Sequence, residues 1–263
     1  MKTVQISGVS LSFGDRRILK NANLTLSTES GAALAGGNGS GKSTLMKIMA
    51  GIVTPDEGTL SSSPDTRISY LPQSGRKFSG HTLWDEAETA FDPLHVLLEE
   101  KEHIDERLAY SSDHDESTDR MIHRRHDIEE LLLDSGYYTR GAEIDKVLTG
   151  LGFAREDFSR ECEAFSGGWQ MRIALAKVLL EHPDILLLDE PTNYLDYEAR
   201  TWLESFLSSY HGGYLIVSHD RYFLDVTVQE VYEVFMGEVR RYTGNYSSYR
   251  EKRDDVGESG RMY

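Results

Sequence analysis

Eight consecutive residues, Gly36-Gly37-Asn38-Gly39-Ser40-Gly41-Lys42-Ser43, fit the pattern GxxxxGK[ST]. They lie between an apolar run, Ala32 to Ala35, that reads as a buried strand, and a stretch from Ser43 to Met49 that reads as a helix ending at Gly51. Glycines there let backbone N–H groups turn inward around phosphate oxygens, and the helix N-terminus adds its positive dipole. Lys42 is placed to reach β- and γ-phosphates and the Ser43 hydroxyl to ligate Mg²⁺. The competing reading is a structural glycine turn, against which the Lys-Ser pair and its flanks weigh.

A second segment, Ile185-Leu186-Leu187-Leu188-Asp189-Glu190, reads as a buried strand with two carboxylates at its C-terminal end. Open α/β sheets bind their ligands at that end. Asp189 is the candidate Mg²⁺ ligand, and Glu190 the candidate base that orients and polarises an attacking water. Two such carboxylates alone would serve equally well to cap the next helix; a phosphate loop in the same chain favours the chemical role.

Other segments must position these residues. Val4, Ile6, Val9 and Leu11 give an alternating run, Gly14-Asp15 turns the chain, and Ile18 to Leu26 follows as a strand. From Thr82 to about Gly152 the pattern is helical. Thr82 and Asp85 form a candidate capping box, and Trp84, Ala87, Phe91, Leu94 and Leu98 share one helix face. Asp92-Pro93 reads as a fresh N-cap and first-turn proline. A polar stretch, Ser111 to Asp119, precedes a second helix that carries Met121, Ile128, Leu131 and Leu132, so the pair is predicted to form an antiparallel hairpin projecting from the core. After Phe165, helices over 169–180 and 198–208 alternate with strands over 185–188 and 214–217, and Met236-Gly237 turns a hairpin of 231–235 with 239–242. This α/β alternation predicts a mainly parallel sheet with helical segments inserted.

Composition sets outer bounds. The chain has 263 residues, 39% hydrophobic and 27% charged, room for one large α/β domain or two small ones. Cys162 is the sole cysteine, which excludes an internal disulfide and fits a reducing compartment. No apolar signal core opens the chain, and its aliphatic runs are only strand-sized, so a cytoplasmic protein with no membrane insertion is expected. A net charge of −16 argues against diffuse nucleic-acid binding.

Phe165-Ser166-Gly167-Gly168-Trp169-Gln170, upstream of Asp189-Glu190, resembles the signature of the ATP-binding cassettes (ABC proteins). Gln73 in Tyr70-Leu71-Pro72-Gln73 matches their Q-loop, Leu195-Asp196 their D-loop, and His219 their switch histidine, while Phe13 lies where they stack an aromatic on adenine. The resemblance implies an α/β P-loop NTPase fold: a RecA-like, mainly parallel core, an N-terminal antiparallel β subdomain and a helical insertion over about 82–160. It implies one ATP-binding domain over 1–249, followed by a linker start or disordered tail over 250–263. The implied nucleotide-binding set is Phe13 with residues 36–44, Thr44 included. Ser43, Gln73 and Asp189 are implied at Mg²⁺, and Glu190, His219 and Lys42 in catalysis. Ser166, Gly167 and Gly168 are implied to cap the γ-phosphate of an ATP held by another cassette.

The chain is most similar to the ABC-F proteins, tandem cassettes that act on ribosomes. The signature continues as Gly168-Trp169 instead of Gly-Gln, the insertion has room for their arm, and Tyr242-Thr243-Gly244-Asn245-Tyr246-Ser247-Ser248-Tyr249 resembles the approach to their inter-cassette linker. The resemblance implies ATP hydrolysis with Mg²⁺, a second cassette as partner (a missing C-terminal half or another copy), a ribosome as target, and a role in translation regulation or ribosome protection. The alternatives are the nucleotide-binding subunit of a membrane transporter and a non-hydrolysing ATP-dependent module. Arg120, Arg124 and Arg125 near the predicted arm tip stand beside Asp113, Asp115, Glu116 and Asp119, a charge run that reads as an RNA contact or as a solvated helix surface.

Overall fold

In the computed structural model, which describes residues 1–74, 77–110 and 116–259, the alternating N-terminal run forms β1 (Thr3–Phe13). It turns at Gly14-Asp15 onto an antiparallel partner, β2 (Arg16–Ser27). The chain then passes through β3 (Gly31–Ala35), buried along its length, and α1 (Lys42–Met49), and returns as β4 (Glu57–Ser62) on the other edge of β1. Every residue of β4 is exposed, so no apolar alternation marks it in the sequence.

The second sheet holds β5 (Ile68–Leu71), β6 (Ile185–Asp189), β7 (Gly213–Val217), β8 (Glu230–Phe235) and β9 (Glu238–Thr243), in the order β5-β6-β7-β3-β8-β9. Its pairs are parallel except the hairpin β8-β9. Both faces are covered, which is why β6 is apolar throughout rather than alternating. Ile185 and Leu187 pack with Leu45, Met49, Ile6 and Leu24 in a layer shared by the N-terminal sheet and α1. Leu186 and Leu188 face the opposite layer, formed by the helices.

That opposite layer contains α2 (Leu83–Glu88), α3 (Asp92–Tyr110), α4 (Glu116–Asp134), α5 (Arg140–Gly150), α6 (Gly167–Leu180), α7 (Tyr197–Ser208), α8 (Arg221–Thr227) and α9 (Tyr246–Ser259). The Thr82 hydroxyl caps α2 by accepting from Asp85 N at 3.2 Å. Asp92 differs from its expected N-cap role. A 3-10 turn over Thr89–Phe91 carries helical backbone from α2 into α3, and Asp92 itself has φ −51° and ψ −40°, so it lies inside the helix. The helices α3 and α4 pair antiparallel. Arg124 donates to Glu100 at 2.7 and 2.8 Å, Arg125 to Asp105, and Lys101 lies 3.0 Å from Glu129. Arg124 and Arg125 therefore already face carboxylates of the neighbouring helix. Residues 111–115, and with them Asp113 and Asp115, lie outside the described residues, as do 260–263. Ile128 and Leu132 are buried one turn apart, whereas Leu131 is 50% exposed.

Helices α5 and α8 were not separately expected. Residues 250–259 continue α9, whose Tyr249 is buried and donates to Glu233 Oε1 at 3.0 Å. No described helix is long and apolar enough to cross a membrane.

The insertion meets the core where Gly150 closes α5 against Trp202 of α7. A Cβ on Gly150 would stand 2.1 Å from the indole ring. Gly150→Ala is therefore expected to cost about 1–3 kcal/mol by overpacking. The change should appear as a lowered urea midpoint at constant m; an unchanged midpoint would mean that the ring gives way freely.

Candidate nucleotide-binding site

Parallel pairing brings the predicted residues to one edge of the sheet. Asp189 ends β6 opposite Val217 of β7, and Ala33 of β3 pairs with Ile216 on the other side. The loop after Ala35, the carboxylates after Leu188 and the Ser218-His219 segment thus emerge side by side. They border a cleft of about 470 Å³ lined by Phe13, Asn38, Gly39, Gly41, Lys42, Ser43, Thr44, Gln73, Asp189, Glu190 and His219.

The loop between β3 and α1 is built for close approach. Gly36 has φ +148°, and a Cβ there would stand 2.6 Å from the Val234 carbonyl of β8 and 2.7 Å from Ser40 Oγ. Ser40 Oγ is buried without a hydrogen-bond partner. Gly36 and Gly37 line a second recess behind the loop, about 210 Å³ in volume, which Lys42, Glu190 and His219 also reach. Lys42 Nζ donates to the carbonyls of Gly36 (2.9 Å) and Gly37 (3.0 Å), and burial holds its pKa below the ordinary lysine value. The lysine thus rests on loop carbonyls that phosphate oxygens are equipped to replace.

Asp189 and Glu190 are 1% and 3% exposed, in a chain that exposes most of its carboxylates. Tyr70 Oη donates to Asp189 Oδ2 at 3.4 Å. Glu190 has φ +58°, a left-handed backbone that is costly for a residue with a side chain. The conformation is held by its N–H donating to the Val217 carbonyl at 2.8 Å. The Glu190 carboxylate accepts from His219 N at 3.3 Å and lies 3.3 Å from His219 Nε2. Burial pushes the Glu190 pKa up, and the nearby His219 opposes the rise. Ser218 Oγ is 2.9 Å from Thr192 Oγ1 and accepts from Asp220 N, while Asp220 caps α8 through Phe223 N at 3.1 Å. Those bonds fix the turn that carries His219.

Phe13, at the end of β1, is 58% exposed and lines the cleft. Ser166 and Gly167 are exposed and Gly168 half-buried at the start of α6, and none of the three lines the cleft. Gln170 of the same helix accepts from Phe78 N at 2.9 Å and donates to the Cys162 carbonyl, tying the segment after Gln73 to α6. Sequence reasoning missed Arg16 and Ile18, which also line the cleft. Arg16 Nη2 donates to the Gly39 carbonyl at 3.3 Å. No local pattern marks that arginine, because a hairpin far from the loop in sequence supplies it.

The oxygen donors Ser43, Gln73 and Asp189 share the cleft with Lys42, and no cluster of three or more acidic, histidine or cysteine side chains forms a metal cage among the described residues. Such a donor set fits a Mg²⁺ that keeps waters and takes its remaining ligands from phosphates.

The ABC transporter family model matches residues 19–193. The chain is 41% identical to YdiF of Bacillus subtilis, over 96% of this chain and 39% of that protein. It is 37% identical to the energy-dependent translational throttle protein EttA of Escherichia coli K12, over 91% of this chain and 42% of EttA. It is 34% identical to ABC transporter F family member 5 of Arabidopsis thaliana, over 94% of this chain and 36% of that one. The chain thus spans about two fifths of the length of these relatives. Among solved structures, a dimeric post-hydrolysis state of the ATP-binding cassette MJ0796 bound to ADP and Pi shares the fold, with a TM-score of 0.63 at 21% identity over 91% of this chain and 98% of that one. An ATP-binding subunit of an ABC transporter gives 0.69 at 17% identity, over 95% and 93%. A glycine-rich loop, paired strand-end carboxylates and His219 around one cleft, together with these matches, mean that the chain belongs to the ABC transporter family as an ATP-binding cassette resembling the ABC-F proteins.

Proposed function

We propose that the chain hydrolyses MgATP when it closes with a second cassette, and that it does so in the cytoplasm on the ribosome, in translation regulation or ribosome protection. The observation that carries the catalytic part is Glu190, a buried carboxylate held by strained backbone between Asp189 and His219 at the mouth of the cleft. Its raised pKa suits a base that must take a proton near neutral pH. In this reading Phe13 stacks on adenine, and the N–H groups of residues 36–44 cradle the phosphates. Lys42 leaves the Gly36 and Gly37 carbonyls for the β- and γ-oxygens. Ser43, Asp189 and Gln73 hold Mg²⁺, which neutralises phosphate charge when bound.

Glu190 then orients a water and accepts its proton as the water oxygen attacks the γ-phosphorus in line. The bond to the β–γ bridging oxygen breaks and ADP leaves with that electron pair. His219 contacts the γ-phosphate. Positioning and charge neutralisation supply most of the rate. Ser166, Gly167 and Gly168 lie outside this chain's own cleft, which supports their acting on the ATP of a partner. ATP then favours the closed pair by differential affinity, and hydrolysis releases it.

The ribosomal part rests on the Trp169 signature, the long insertion from α2 to α5, the Tyr242–Tyr249 segment, and relatives whose names place them in the F family or in translation. Glu190→Gln is expected to keep ATP binding while lowering turnover by about 10²–10⁴-fold. The same variant should sediment with ribosomes in MgATP and not in MgADP. Turnover close to the parent would remove Glu190 from the role of base, and equal recovery in both nucleotides would remove the ATP-gated ribosome reading.

The raised pKa gives a separate, nucleotide-free expectation. A carboxyl whose folded pKa is raised stabilises the fold when protonated, and that stabilisation is lost as pH rises through the folded pKa. Glu190→Gln without nucleotide should therefore melt above the parent at about pH 8. The gain should vanish below the ordinary carboxyl value of 4.5, where folded and unfolded parent are both protonated. A gain independent of pH would exclude the buried charge as its cause.

A further inference from the structure

One buried side chain joins three pieces of the molecule that are separate in sequence. Arg172, on α6 six residues after Ser166, is 8% exposed. Its Nη1 donates to the Leu151 carbonyl at the end of α5 (2.9 Å), its Nε to the Tyr194 carbonyl (2.8 Å), and its Nη2 to Asp196 Oδ2 (2.9 Å). The guanidinium lies 4.3 Å from the centre of the Trp169 ring. The surroundings are shaped to it. Gly152 has φ +92°, and a Cβ there would stand 2.6 Å from Arg172 Nη1. The loop that Arg172 grips also runs close beside the signature, where a Cβ on Gly168 would lie 3.2 Å from the Tyr194 ring. Asp196 is shared: its Oδ2 takes Arg172 while its Oδ1 accepts from Ala199 N at 2.9 Å and caps α7. Arg172 itself does not line the nucleotide cleft.

Three acceptors in fixed directions demand a planar fork of donors. A lysine ammonium has the charge but only one nitrogen, which cannot bridge all three. We propose that Arg172 is a positioning residue that holds the signature, residues 166–168, and the loop over 193–196 in one register, so that a cassette presents both to its partner as a single body. This inference rests on the reading of a paired, hydrolysing cassette. Without Arg172 the two segments shift independently, and turnover falls while nucleotide binding in the chain's own cleft stays as it was. Small misplacements of groups that assemble a reacting site cost about 10²-fold without any loss of binding.

The test compares the parent with Arg172→Lys, which keeps the charge, and Asp196→Asn, which keeps the cap acceptor on Ala199 N. Each is measured for steady-state ATPase, for the affinity of a fluorescent ATP analogue, and for backbone hydrogen exchange. Arg172→Lys is expected to lower kcat about 10- to 100-fold, with KM and analogue affinity within about twofold. Exchange should rise at 193–196 and 151–153 but not at 36–44. Asp196→Asn should lower kcat in the same direction, and the double variant should be no worse than Arg172→Lys alone, because both remove one interaction. A parent-like kcat in folded Arg172→Lys, or a fall matched by equal loss of analogue affinity, would overturn the proposal in favour of a merely structural ion pair. If the parent shows no hydrolysis even with a second cassette present, the catalytic reading fails instead. Exchange then decides this inference: unchanged protection at 193–196 in Arg172→Lys rejects it, and selective loss there upholds the shared register.

Discussion

Parallel pairing of β3, β6 and β7 is the constraint on which the rest depends. In a parallel ladder all strands end on the same edge, so whatever follows their last residues is gathered there irrespective of distance in sequence. The glycine loop follows β3, Asp189 and Glu190 end or follow β6, and His219 follows β7. Their neighbourhood is fixed by the parallel register that sets Leu188 opposite Ile216 and Asp189 opposite Val217, pairs buried in apolar layers on both faces. Slippage of one residue would reverse the faces of Leu186 and Leu187 and carry Asp189 away from the cleft.

This arrangement has a cost. Asp189 and Glu190 are almost completely buried beside each other, and Glu190 is held in a backbone conformation disfavoured for any side chain. Among the described residues, His219, Tyr70 and Lys42 face these carboxylates. A phosphate loop whose lysine rests on its own carbonyls has the same character. The core strands on either side, with side chains at zero exposure, supply the stability that lets such a site persist.

Around that edge, α6 connects distant parts. Its first residues are the exposed signature, Gln170 holds the segment after Gln73, and Arg172 holds the end of α5 and the loop before α7. The arm is organised differently, with Arg124 and Arg125 answering carboxylates across the hairpin. Exposed pairs of this kind contribute little to stability. The arm therefore presents an acidic surface in which Arg124 and Arg125 are already engaged.

Patterns confined to a short stretch were readable without the structure. The loop over 36–43 and the strand 185–190 declare their chemistry because phosphate binding needs consecutive backbone groups, and a doubly covered strand needs consecutive apolar residues. Fold class followed from the alternation of such segments. Readability failed where the determining contact is distant. The strand β4 has no buried residue to betray it, and Leu131 looks as apolar as Leu132 although only one faces the core. Asp92 keeps the residue type of a cap while a 3-10 turn makes it helical.

The sequence by itself determined which groups are available for phosphate, metal and proton chemistry, because those demands are written in residue type and local spacing. Only the tertiary structure decided which groups meet. It gave Arg16 to the loop at Gly39, placed the signature outside the chain's own cleft, and set Arg172 between Leu151, Tyr194 and Asp196. The physical reason is that directional hydrogen bonds between remote segments exist only after parallel pairing and apolar burial have fixed the distances between them.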